Sequence, residues 1–173
     1  MHGALTPYAF HANMSDVHAP TIVPAVRAFH ETPEGDFRWD GVDVLAYKST
    51  GTHFQDITRQ VLFDGEAAPG VELRYFEVAA GGHSTFERHE HIHAVLILRG
   101  RGRALVGETI FDLGERDLVQ VPPMHWHQFH AAEDAPLGFL CLVACERDRP
   151  QRPTEDDIAA LRTHPVIGAF MRV

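Results

Sequence analysis

The seven residues Glu87-Arg88-His89-Glu90-His91-Ile92-His93 run directly into the apolar stretch Ala94-Val95-Leu96-Ile97-Leu98. Carboxylates and imidazoles at such density are poor core material unless something pairs with them. On an extended strand, Glu87, His89, His91 and His93 would all share one face. Carboxylate and neutral imidazole together suit a divalent transition metal, namely Zn, Mn, Fe, Co, Ni or Cu. The run is internal, unlike a purification tag. A second cluster, Pro122-Pro123-Met124-His125-Trp126-His127-Gln128-Phe129-His130, follows about thirty residues later beside another apolar strand. A fold that lets both clusters serve one site must bring distant segments together.

A chain of 173 residues suits one domain with terminal extensions. Its formal net charge of -9 argues against nucleic acid as a partner, because the arginines are scattered among acids rather than gathered in a basic stripe. No apolar run approaches the roughly 18 to 20 residues of a membrane-spanning helix, and the N-terminus lacks the basic-then-apolar order of a secretory signal. A cytoplasmic protein without membrane partners is expected. Cys141 and Cys145 lie on one apolar segment, where four residues of strand rise separate them by roughly 13 Å, beyond the roughly 7 Å that a disulfide spans. Both are expected to be free thiols.

Residues 1–36 carry Pro7, Pro20, Pro24 and Pro33 without a sustained period and read as an irregular N-terminal arm, with Met1 and Met14 both admissible starts. Thr21 to Phe29 suits a brief helix or an arm laid on a partner. From Phe37 to Cys145 the texture is short strands cut by turns, the mark of an all-β barrel or sandwich. Gly41–Lys48, Val71–Val78 and Leu137–Ala144 read as strands, and Phe54–Phe63 is less clear. Arg103–Val106 and Thr109–Leu113 meet across Gly107-Glu108 as a hairpin. Residues 146–173 form a C-terminal tail: a charged, proline-broken stretch through Pro153, then a short helix capped by Thr154 and ending at Pro165.

With both clusters in view, the chain resembles the cupin superfamily over about residues 71–145. Gly81, Glu87, His89, His93 and Gly100 match the spacing of that family's first motif, with Glu in the first His position and His in the Glu position. Pro122 and His127 match the second motif, whereas Arg116, Met124 and Ala131 stand at its two Gly positions and its Asn position. The resemblance implies a small antiparallel jelly-roll β-barrel with a metal held by Glu87, His89, His93 and His127. In the alternative register built on His89-x-His91, the position of the family's Glu falls on Val95, which cannot ligate. His91 then sits in the turn, near the metal or at the pocket mouth. His125 and His130 suit solvent or rim positions, and His83 a structural one. Phe76, Trp126, Phe129, Phe139 and Cys141 are candidate pocket walls.

An open metal site in a water-restricted barrel points to an enzyme of small organic substrates. A dioxygenase-like oxygenase using Fe(II) or Mn(II) is the leading expectation, with His91 and Cys141 in accessory roles. The alternatives are a metal-dependent isomerase or lyase, in which the ion stabilises an enolate, and a non-catalytic cupin that senses a small molecule. A small barrel with exposed edges and apolar faces also predicts a homodimer.

Overall fold

The structure is a computed structural model and describes residues 26–32, 35, 37–65 and 70–173. Thirteen elements are assigned there: β1 (Phe29–Glu31), β2 (Phe37–Trp39), β3 (Leu45–Ala46), β4 (Gln55–Phe63), β5 (Val71–His83), β6 (His93–Gly100), β7 (Gly102–Val106), β8 (Thr109–Leu113), β9 (Leu118–Val121), β10 (His127–Ala131), β11 (Leu137–Ala144), α1 (Glu155–Arg162) and α2 (Pro165–Phe170). Nine strands join one antiparallel sheet whose main path runs β8-β7-β10-β5-β11-β6-β9, with β4 on β5 and β3 on β4. The long strand β5 makes the sheet curl. Its first part pairs with β4 and β11, and its end reaches β10 through His83 opposite His130.

Alternation assigns the inside of the curl. Arg59, Phe76, Phe139 and Ile97 lie side by side on adjacent strands, and Val61, Arg74, Cys141, Val95 and Val119 form the next row. Phe76, Val95, Ile97, Phe139 and Cys141 belong to the main buried core. Gly100 has a φ of +71° and lies so close to Pro136 that a Cβ there would stand 1.8 Å from the Pro136 carbonyl oxygen. Only glycine meets both demands.

A second, smaller core lies under the C-terminal helices, where Ile167, Phe170 and Met171 pack on Phe86 and Leu105. The helix read from Thr154 is α1, and its capping box is complete between Thr154 and Asp157. The chain does not stop being helical at Pro165. Proline occupies the first turn of α2, where a missing N–H costs nothing.

Other sequence expectations are corrected. Only Leu45–Ala46 of the Gly41–Lys48 segment forms strand, whereas Gln55–Phe63 of the unclear segment is a full one. The N-terminal arm is not irregular throughout, because Phe29–Glu31 pairs with Phe37–Trp39 and aromatic rings bind this hairpin to Tyr75. Residues 1–25, including most of Thr21 to Phe29, lie outside the described residues. The histidine run is not a strand: β6 begins at His93, and Glu90 to Ile92 lie in a bend and loop. Arg116 and Met124, at the positions where the motif has glycine, have φ of 74° and 58°. The turns keep the glycine-like backbone and bear the strain of a side chain there.

The second core should be a separable source of stability. Phe170→Ala, at a residue 4% exposed and stacked on His130, is expected to cost about 3 kcal/mol and lower the melting temperature by roughly 6 to 12 °C. Calorimetry on the purified variant checks this; an unchanged melting point would show that α2 is not anchored by this ring.

Candidate metal centre

Three imidazoles from distant stretches converge: ligand atoms of His89, His93 and His127 all lie within 4.8 Å of one another. His93 opens β6 and His127 opens β10, while His89 sits on the loop between β5 and β6. Backbone hydrogen bonds hold this loop from both sides. Glu87 and His127 exchange N–H···O bonds at 3.2 and 3.0 Å, and Met124 N donates to His89 O at 2.7 Å. Across the other edge, Arg88 and Gln151 exchange bonds at 3.0 and 2.8 Å.

The imidazoles fit a metal by their hydrogen bonding. His89 Nδ1 donates to His91 O at 2.7 Å and His127 Nδ1 to His125 O at 3.0 Å. A carbonyl only accepts, so each Nδ1 carries the proton and each Nε2 keeps its lone pair. The Nε2 atoms of His89 and His93 are buried without a hydrogen-bond partner. Burial lowers the pKa of all three rings, His127 to about 4 and His93 to about 2, so all are neutral near pH 7. Neutral, oriented, buried nitrogen donors are what a divalent ion requires.

Glu87, the fourth residue implied by the resemblance, is buried beside this triad but takes a different partner: Lys48 Nζ lies 2.7 Å from Oε2 and also donates to Thr85 Oγ1. His91 stacks face to face on His89 at 3.7 Å between centroids. Its Nδ1 donates to Asp148 Oδ1 at 2.6 Å, and the Glu90 and His91 N–H groups donate to the same carboxylate. These donors, first the Glu90 amide and then the His91 ring, hold the Asp148 carboxyl well below the usual range. Its charges and prolines mark this stretch as a tail from sequence; it is instead the brace behind the histidine loop.

A pocket of about 230 Å³ opens beside the triad, lined by His91, His93, His127 and Glu87 and walled by Phe76, Phe129, Phe139 and Cys141. Burial pushes the Cys141 thiol up, and both cysteines are free. Trp126 is not on this wall. It stacks on Phe86 at 5.1 Å, under the Arg88 guanidinium. His125 is exposed, and His130 is packed on Phe170 in the second core. Lys48, Arg59, Arg74 and Asp148 were missed as site residues. Arg74 alone left a signal: the parity that buries Phe76 and Val78 also turns Arg74 inward.

A curled antiparallel sheet with three histidines at one end defines a cupin, and the chain belongs to the cupin superfamily. The family model described as "Cupin domain" matches residues 74–143. Among curated proteins the chain is similar to the 1-methylthio-D-xylulose 5-phosphate methylsulfurylase of Rhodospirillum rubrum, 54% identical over 139 residues that cover 80% of this chain and 88% of that one. Among solved structures it is similar to a cupin 2 conserved barrel domain protein from Rhodopseudomonas palustris, with 53% identity, 86% and 100% coverage and a TM-score of 0.78. A cupin-2 domain from Rhodospirillum rubrum matches at 51% identity, 83% and 94% coverage and a TM-score of 0.74. Among the described residues, no helix is long and apolar enough to cross a membrane.

The geometry makes two expectations. Asp148→Ala removes the brace behind His91 and should weaken divalent-metal binding about 10- to 100-fold, measured by chelator competition; unchanged affinity would leave the brace without a role at the site. The second concerns pH. His127 and His93 have folded pKa values below that of free histidine, so the unfolded chain takes up protons first. Metal-free protein should therefore keep this stability above pH about 6.5 and lose it as pH falls toward about 4 for His127. Melting curves in chelator should steepen in this window and flatten in His127→Asn; identical slopes would argue against a buried neutral ring.

Proposed function

We propose that the protein is a metal-dependent enzyme of enolate chemistry, the class of the lyase or isomerase alternative, that passes the methylthio group of a 1-methylthio ketose 5-phosphate to a thiol and leaves a methyl ketone. The observation that carries this reading is the imidazole triad, with the Nε2 atoms of His89 and His93 buried and unpartnered and with His93 and His127 on the wall of a small pocket. The 54% identity with a methylsulfurylase of that substrate supplies the substrate class. No comparison favours the oxygenase expected at first; the same donor set serves the alternative reading equally well.

In such a substrate the carbon that bears sulfur is adjacent to the ketone. When bound, a divalent ion supplies Lewis-acid polarisation of that carbonyl and stabilises negative charge developing beside it. His89, His93 and His127 hold the ion in this reading. Glu87 has one oxygen engaged by Lys48, and its Oε1 is the atom available to ligate or to accept a proton. Phe76, Phe129 and Phe139 exclude water from the reacting carbon. His91, which also lines the pocket, holds the plane of the His89 ring.

The assay is methanethiol release from 1-methylthio-D-xylulose 5-phosphate by metal-loaded protein under anaerobic conditions. Replacing C–S by C–H consumes two electrons, which a dithiol supplies. One of its sulfurs takes the methylthio group as a mixed disulfide, and the vacated carbon is protonated. Its second sulfur closes the cyclic disulfide and expels methanethiol, so the assay runs with and without added dithiothreitol. Methanethiol should form without oxygen but only with dithiothreitol present, and His93→Ala should lower the rate at least a hundredfold with loss of bound metal. Oxygen uptake without methanethiol would restore the oxygenase reading, and tight binding without product would favour a sensor.

A further inference from the structure

We propose that Arg59 and Arg74 form an anion-binding end of the same pocket and hold the phosphate of the substrate. The identity of the ligand rests on the functional reading above, whereas the place of the subsite rests on geometry. The chain carries a net charge of -9, yet this pocket is lined by Lys48, Arg59, Arg74 and Arg147 against a single carboxylate, Glu87. Such a reversal of local charge marks a site for an anion.

Two of these four cations are already engaged. Lys48 donates to Glu87 and Thr85, and Arg147 lies 3.0 Å from Glu72 and donates to the carbonyls of Ala144 and Cys145. Arg59 is not, and Arg74 has only long contacts. Among the described residues Arg59 has no hydrogen-bond or ion-pair partner, and its Nε is buried without an acceptor. Arg74 is 9% exposed, and its Nε also lacks a hydrogen bond. Glu72 stands 3.8 Å from that nitrogen, and Nη2 reaches only Cys141 Sγ, at 3.6 Å.

Buried guanidinium donors without acceptors are costly, and an anion with several oxygens cancels that cost with bidentate contacts. Pairing places the two residues for this purpose. Arg59 stands opposite Phe76 and Val61 opposite Arg74, so the arginines are diagonal neighbours on one face, about 7 to 8 Å apart at the backbone. The Phe76 ring lies 5.1 Å from the Arg74 guanidinium carbon and braces it. Arg74 is also near enough to His93 for its charge to help keep that ring neutral. A phosphate gripped by both arginines therefore directs the rest of a short substrate along the pocket toward the imidazoles.

Isothermal titration of the full metal-loaded chain with D-xylulose 5-phosphate and with D-xylulose tests the subsite. The phosphorylated sugar should bind at least about tenfold more tightly, and Arg59→Gln should abolish that preference while leaving metal content and D-xylulose binding unchanged. Arg59→Lys should restore part of it. Because Arg74 is buried against Cys141, Arg59→Gln at its partly exposed position is the deciding variant. Retention of the full preference in Arg59→Gln would overturn the subsite, even if methanethiol release is found. Arg59-dependent binding without any methanethiol release would leave the subsite standing and overturn the functional reading.

Discussion

The short antiparallel bridge between Glu87 and His127 is the contact on which the site depends. It joins a loop that follows β5 to the first residue of β10, forty positions further along the chain. Without it, the loop that carries His89 would lose its tie to the strand of His127 and keep only those to Met124 and Gln151, and a loop with exposed backbone donors wanders. With it, the ring of His89 is set against those of His93 and His127, and the unpaired nitrogens become a standing electrostatic demand. The curled sheet, the turn at Met124 and the tail at Gln151 all act to maintain that bridge.

Burial of three neutral imidazoles is unfavourable unless their lone pairs are used. The remaining polar groups around them are well provided for: Glu87 by Lys48, His91 by Asp148, and the Nδ1 atoms of His89 and His127 by carbonyls. Such selective satisfaction is informative. Groups that orient the rings have partners, and the groups that face the shared space have none. The pocket wall repeats the pattern at its basic end, where Lys48 and Arg147 are paired and Arg59 is not.

Much of the fold was legible because its signals are local. Leu137–Ala144 is a continuous apolar run that follows a proline loop, and it is β11 over the same residues. Gly107-Glu108 joins Val106 to Thr109 as a two-residue hairpin. The histidine run misled because alternating chemistry imitates strand parity: His89 and His91 do lie together, but by ring stacking across a bend. Trp126 misled for a related reason, since its neighbour His127 faces the site and the bend before β10 sends the indole outward. Asp148 and Lys48 could not be read at all. Their partners are fixed by loop crossings that carry no sequence period, and an acid or a lysine in a polar stretch looks the same whether it is solvated or braced.

The tie between Arg88 and Gln151 also imposes an order in time. A nascent chain emerges from its N-terminus, so His89 and His93 are available long before the segment that braces their loop has been made. The strands from β5 to β11 can pair first, since none of their ladders requires Gln151 or Asp148. The histidine loop reaches its final shape only when the last stretch of chain returns to close over it, so the mature site is a product of completed folding rather than its seed.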